Sequence, residues 1–110
     1  MRILFIENHV RFARTVIDQF LSQHEVTRSG SVERAKELAR ENAYAAVLVD
    51  YDLDDAKGDV LVAWLRSIGF AGPIVAVSAR DEGNEALMRA GASGVCRKAD
   101  FHLIRRHLHP

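Results

Sequence analysis

The chain has 110 residues, 48% hydrophobic and 27% charged, and its 15 Lys and Arg balance 15 Asp and Glu. That length makes a single domain, and a neutral total with a pI near 7.0 gives no field to hold a nucleic-acid backbone or an anionic membrane, so neither is expected as a direct partner. One cysteine, Cys96, excludes an internal disulfide framework and a cysteine-based zinc site, and fits a reducing, cytoplasmic location.

Ile3 to Ile6 form a short apolar run that meets Glu7 at once, too short for a signal-peptide core or a membrane span, and read as a buried strand. Ala13, Val16, Ile17, Phe20 and Leu21 recur at three- and four-residue spacing, which predicts a helix from about His9 to Gln23 with His9 as a capping or surface residue. A second, weaker strand is centred on Val26. Ser31 is a suitable N-cap for a helix over Val32 to Asn42, whose Val32, Ala35, Leu38 and Ala39 share a face. Ala46 to Val49 form a third strand. Val60, Leu61, Trp64, Leu65 and Ile68 make the stripe of a third helix closed by Gly69. Ile74 to Val77 follow as a strand, Glu82 to Ala90 as a helix ending at Gly91, and a fifth strand is centred on Val95, with Cys96 a small buried hydrophobe. A last helix is expected from Asp100 to Leu108, with Phe101, Ile104 and Leu108 on one side and Arg105 and Arg106 near the C-terminal end. His102, His107 and His109 lie five and two residues apart, not at ligand spacing, and read as solvated.

Strands alternating with helices predict an α/β fold: a doubly wound parallel sheet covered on both faces, in three layers. Ligands in such folds bind beyond the carboxyl ends of the strands. Those ends carry Glu7 and Asn8, then Asp50, Ser78 and Lys98. Hard oxygen donors suit Mg²⁺, a hydroxyl and an ammonium suit a phosphoryl group, and a carboxylate can accept one covalently.

Four stretches, in this order and spacing, carry a resemblance. They are Ile3-Leu4-Phe5-Ile6-Glu7-Asn8; Val47-Leu48-Val49-Asp50-Tyr51-Asp52-Leu53, with Gly58 eight residues after Asp50; Pro73-Ile74-Val75-Ala76-Val77-Ser78-Ala79; and Ala90-Gly91-Ala92-Ser93-Gly94-Val95-Cys96-Arg97-Lys98. The set resembles the CheY-like receiver domain of two-component response regulators over nearly the whole chain. The resemblance implies a flavodoxin-like (βα)5 sheet of strand order 2-1-3-4-5. Asp50 would be the phosphoacceptor, with Ser78 and Lys98 binding phosphoryl oxygens. Mg²⁺ would be held by Glu7, Asn8, Asp50 and the backbone carbonyl of Asp52. The implied partners are a histidine kinase or phosphotransfer protein and a downstream protein target, with the chain as monomer or homodimer. It would be a signalling module and not an enzyme, beyond slow Mg²⁺-dependent self-phosphorylation and self-dephosphorylation. The five strand-helix units occupy residues 1–110, so one receiver domain without an output domain is expected.

Three positions depart from the family pattern. Asn8 replaces an acid and removes a charge from the metal site, which weakens it. Ala99 replaces the usual Pro after Lys98, so a trans bond is expected there, because a cis bond before a non-proline residue costs about 2.5–4 kcal/mol. Val95 replaces a frequent aromatic. These favour the alternative of a degenerate receiver, a protein-binding module that works without phosphorylation. Asp50-Tyr51-Asp52, Ser78 and Lys98 also resemble the series of a haloacid-dehalogenase-type phosphatase, but only Asp100 follows Lys98 where that family needs an acidic pair. Asp54 and Asp55 read as solvated loop charges, the Asp52 side chain as solvent-facing or modulating water attack, and Arg80 as an exposed loop arginine.

Overall fold

The apolar runs assemble into one parallel sheet because each is flanked by helical segments long enough to cross over it. The computed structural model describes residues 1–108, leaving His109 of the expected tail outside them. Its elements are β1 (Arg2–Ile6), α1 (Val10–Phe20), β2 (Glu25–Ser29), α2 (Val32–Glu41), β3 (Ala46–Val49), α3 (Gly58–Ser67), β4 (Ile74–Ala76), α4 (Asp81–Ala90), β5 (Gly94–Val95), a 3-10 segment (Lys98–Leu103) and α5 (Arg105–Leu108). The strands lie in the order β2-β1-β3-β4-β5, and every pair is parallel. This is the flavodoxin-like arrangement. No helix among the described residues is long and apolar enough to cross a membrane.

Alternation along the strands divides the core into two layers. Leu4, Ile6, Val47, Val49, Ile74 and Ala76 face the layer built with α2, α3 and α4. Ile3, Phe5, Ala46, Leu48, Val75 and Val77 face α1 and the C-terminal segment. Phe101 anchors that second layer, with its ring centroid 5.8 Å from Phe5, 5.9 Å from Phe12 and 6.1 Å from Phe20. Ser31 caps α2 as expected, its Oγ accepting from Arg34 N. Gly69 and Gly91 follow α3 and α4 with φ of 91° and 128°, a region where a Cβ would be strained.

Two sequence expectations change. In α3 the buried face is Gly58, Leu61, Val62 and Leu65, while Val60 and Ile68 are 49% and 53% exposed. The helix starts at Gly58, two residues before the apolar stripe, and its core face runs at i, i+3, i+4 and i+7 from that glycine. Trp64 is half-buried at the border, under Lys36 and Arg40 of α2. The expected helix from Asp100 to Leu108 is instead the 3-10 segment followed by the four residues of α5. Asp100 has non-helical dihedrals, and its carbonyl accepts from Cys96 Sγ at 3.4 Å. Three-residue spacing sends Phe101 and Ile104 to the same core layer.

The corrected face of α3 is testable by urea unfolding. Leu65→Ala should cost about 2–5 kcal/mol, whereas Ile68→Ala should cost less than about 1 kcal/mol. Equal losses would restore the stripe read from the sequence.

Candidate functional site

All strands point the same way, so their carboxyl ends form one rim; Glu7, Asp50 and Lys98 are in direct contact there, and Asn8 and Ser78 stand at the ends of β1 and β4 on the same rim. Glu7, directly after β1, is fully buried. Its Oε2 accepts from His9 N at 3.1 Å. Its Oε1 has no aligned hydrogen-bond donor and is held by charge, with Lys98 Nζ at 2.8 Å. Asp50, directly after β3, is 6% exposed. Tyr51 N donates to its Oδ1 at 2.8 Å, and Lys98 Nζ donates to its Oδ2 at 3.1 Å. One ammonium thus bridges two carboxylates, and it comes from the break after β5.

The electrostatics follow from burial. Desolvation pushes the Glu7 carboxyl above its ordinary range, and the neighbouring Asp50 charge adds to the rise, against the pull of Lys98 and the His9 amide. For Lys98, desolvation lowers the pKa most as a single effect, but Glu7 and Asp50 together outweigh it and the net shift is upward. A raised Glu7 contributes stability below its unfolded pKa that fades as pH rises through the folded value. A raised Lys98 contributes stability that is lost only on the alkaline side.

Ser78, after β4, is 2% exposed, and its Oγ accepts from Arg80 N at 3.2 Å. Asn84 of α4 fixes its backbone from both sides: Oδ1 accepts from Ser78 N at 2.9 Å and Nδ2 donates to Ser78 O at 3.0 Å. Sequence reasoning missed Asn84. Its signal was an amide on the apolar face of α4, between Gly83 and Leu87. Close approach also explains two glycines. A Cβ at Gly83 would stand 2.8 Å from Ser78 Oγ and 2.9 Å from Tyr51 Cβ, and one at Gly58 would strike the Asp50 carbonyl.

Around this centre the loops are tied by charge. The Asp52 carboxylate accepts from Lys57 and, at 2.7 Å, from Arg80 Nη2; these cations, the Lys57 hydrogen bond first, hold its carboxyl below the ordinary range. Arg80 is therefore a loop-to-loop clamp as well as an exposed arginine. Asp55 is not merely solvated. Its two oxygens accept from Val32 N at 2.8 Å and Glu33 N at 3.0 Å, capping α2 beside Ser31, and these bonds lower its pKa. His9 caps α1 through Nδ1, which accepts from Phe12 N. No cis peptide bond occurs among the described residues, so Lys98–Ala99 is trans.

The oxygens expected for a metal are Asn8, which is exposed, the Asp50 carboxylate, the Asp52 carbonyl and Glu7 buried behind them. They fit Mg²⁺ in kind, all being hard donors, and fall short in charge. Among the described residues, no three His, Cys, Asp or Glu side chains stand grouped for a metal ion.

Removing Lys98 strands Glu7 as a buried charge without its cation. Lys98→Met should lose about 3 kcal/mol at pH 8, and the deficit should shrink as pH falls and Glu7 takes up a proton. Urea unfolding at several pH values measures it; a deficit independent of pH would contradict the pairing.

No family model matches the chain, and no curated protein matches its sequence. Solved structures do match. The BeF3-activated N-terminal receiver domain of Klebsiella pneumoniae RstA superposes with a TM-score of 0.84 at 24% identity, covering 100% of both chains. The Francisella response regulator 1452 receiver domain gives 0.82 at 18% identity, over 97% of this chain and 94% of that one. Thermotoga maritima TrrA, a response regulator solved in complex with Mg²⁺-BeF, gives 0.77 at 16% identity, over 86% and 83%. The fold is that of CheY-like response regulator receiver domains.

Proposed function

We propose that the chain is a phosphoacceptor receiver, in which Asp50 takes a phosphoryl group from a phosphohistidine of a kinase or phosphotransfer protein. The observation that carries this reading is the Asp50 carboxylate. It is nearly buried at the end of the central strand, bonded to Lys98 on one oxygen, with the fixed Ser78 hydroxyl on the same rim. Chemically, an Asp50 oxygen attacks phosphorus, the P–N bond breaks, and the imidazole leaves with the bonding pair. Lys98 keeps Glu7 and can exchange its Asp50 contact for a phosphoryl oxygen. The Ser78 hydroxyl, now only accepting from Arg80 N, still has a proton to donate to another such oxygen. Glu7, Asn8, Asp50 and the Asp52 carbonyl are the residues that would hold Mg²⁺, which would supply charge neutralisation at the transferring group, at low affinity because Asn8 carries no charge.

The resulting aspartyl phosphate would bias the loops after β3 and β4, which already meet through Asp52 and Arg80, and be read by a downstream protein as monomer or homodimer. In this reading the chain works in the cytoplasm. A second reading, a receiver that binds partners without phosphorylation, draws on one observation: Lys98 is already ion-paired with both Glu7 and Asp50.

Incubation with acetyl phosphate and Mg²⁺ should give a single phosphate-mass adduct by intact-protein mass spectrometry, absent in Asp50→Ala. No adduct under conditions that label an ordinary receiver would contradict phosphoacceptor function and leave the binding-module reading.

A further inference from the structure

The Lys98 ammonium has a neighbour besides Glu7 and Asp50. It lies over the ring of Phe12 on α1, with Nζ 4.9 Å from the ring centroid, within the reach of a cation–π contact. The start of α1 puts the ring there. His9 N donates to Glu7 Oε2 at 3.1 Å, and His9 Nδ1 accepts from Phe12 N at 3.2 Å. The first turn of α1 is thereby tied to the carboxylate that holds Lys98 at 2.8 Å. Glu7, His9, Phe12 and Lys98 form a closed circuit of contacts. The ring is also backed by the core: it meets Phe101 edge-on, with centroids 5.9 Å apart and planes at 87°, and Phe101 belongs to the same 3-10 segment as Lys98.

The backbone gives Lys98 little support of its own. A trans bond leads from it to Ala99, Arg97 makes no side-chain cap on the 3-10 segment, and the Lys98 side chain is 21% exposed. When Asp50 carries a phosphoryl group, Lys98 exchanges the Asp50 oxygen for a phosphoryl oxygen. Glu7 and the Phe12 ring are then the contacts that persist. A ring face attracts an ammonium through its quadrupole and brings no net charge. A carboxylate in its place would hold Lys98 too, but it would repel the anionic phosphoryl donor.

We infer that Phe12 is a positioning residue for phosphoryl transfer, its ring face holding the Lys98 ammonium beside Asp50 while that ammonium changes partner from the carboxylate to a phosphoryl oxygen. The covalent step is the one proposed above. A bond from an Asp50 oxygen to phosphorus forms, and the bond from phosphorus to the leaving group breaks with its electron pair.

The inference rests on Asp50 being a phosphoacceptor, and its test keeps the two apart. Labelling rates with acetyl phosphate and Mg²⁺ are measured by mass spectrometry for the wild-type chain, Phe12→Leu, Phe12→Tyr and Phe20→Leu, with thermal unfolding run on each. Phe20 packs on the same Phe101 ring, at 6.1 Å, about two turns further along α1, so Phe20→Leu reports the loss of a core ring alone. The NMR shifts of the Lys98 ε protons read the contact itself without any labelling, because an aromatic face shields protons above it. Upfield ε protons are expected in the wild-type chain and in Phe12→Tyr, and ordinary lysine shifts in Phe12→Leu. Phe12→Leu should label about fivefold more slowly than wild type, with Phe12→Tyr and Phe20→Leu close to wild type. Unshielded Lys98 ε protons in the wild-type chain, which need no variant, would overturn the role of Phe12 and leave Asp50 as phosphoacceptor. So would a Phe12→Leu chain slowed no more than Phe20→Leu, or a Phe12→Tyr chain as slow as Phe12→Leu. Absence of label in the wild-type chain would overturn both.

Discussion

A carboxylate with no access to solvent is costly unless a cation meets it, and Glu7 is such a carboxylate. The cation it meets, Lys98, arrives from the opposite side of the sheet centre, after β5, and holds Asp50 on the way. Much of the local architecture follows from that reach. The chain after β5 bends through a 3-10 segment instead of entering a regular helix, which lets Lys98 stand over the rim while Phe101 and Ile104 drop into the core. The same ammonium therefore links the ends of β1 and β3 to the tail that closes one face of the sheet.

The rim is built so that its chemistry is held from behind. Asn84 fixes the backbone of Ser78, glycine at 83 leaves room for the Ser78 hydroxyl, and glycine at 58 lets α3 begin against the Asp50 carbonyl. The loops outside are tied to one another: Asp52 joins Arg80 across the mouth, and Asp55 joins the loop after β3 to the start of α2. A change of charge at Asp50 would thus act on contacts that already connect the loops after β3 and β4. The absence of an acid at position 8 sets the rim apart from the pattern the sequence resembles.

The sheet and the rim residues were legible because strand ends are set by local pattern: an apolar run followed by Glu7, Asp50 or Ser78 places each side chain without knowledge of the rest. The phase of α3 was less legible. Val60 and Ile68 are apolar but exposed, and the inward face is the one that carries Gly58, packed against the Asp50 carbonyl, with Leu61, Val62 and Leu65. The break after Lys98 was hidden as well, since Phe101, Ile104 and Leu108 satisfy a helical spacing although Asp100 takes non-helical dihedrals and its carbonyl accepts from Cys96. Asp55 and Asn84 act across 23 and 6 residues of sequence separation, and no local pattern announces such partners.

The Glu7–Lys98–Asp50 bridge can be observed directly through the ¹⁵N resonance of the Lys98 ammonium, recorded before and after beryllofluoride is added as a phosphoryl mimic. The expected result is a resonance protected from solvent exchange that shifts as Asp50 becomes occupied and vanishes in Lys98→Met. A Lys98 signal broadened by exchange like that of a surface lysine, and unchanged by beryllofluoride, would contradict a lysine bridge at the centre of a phosphoryl-accepting site.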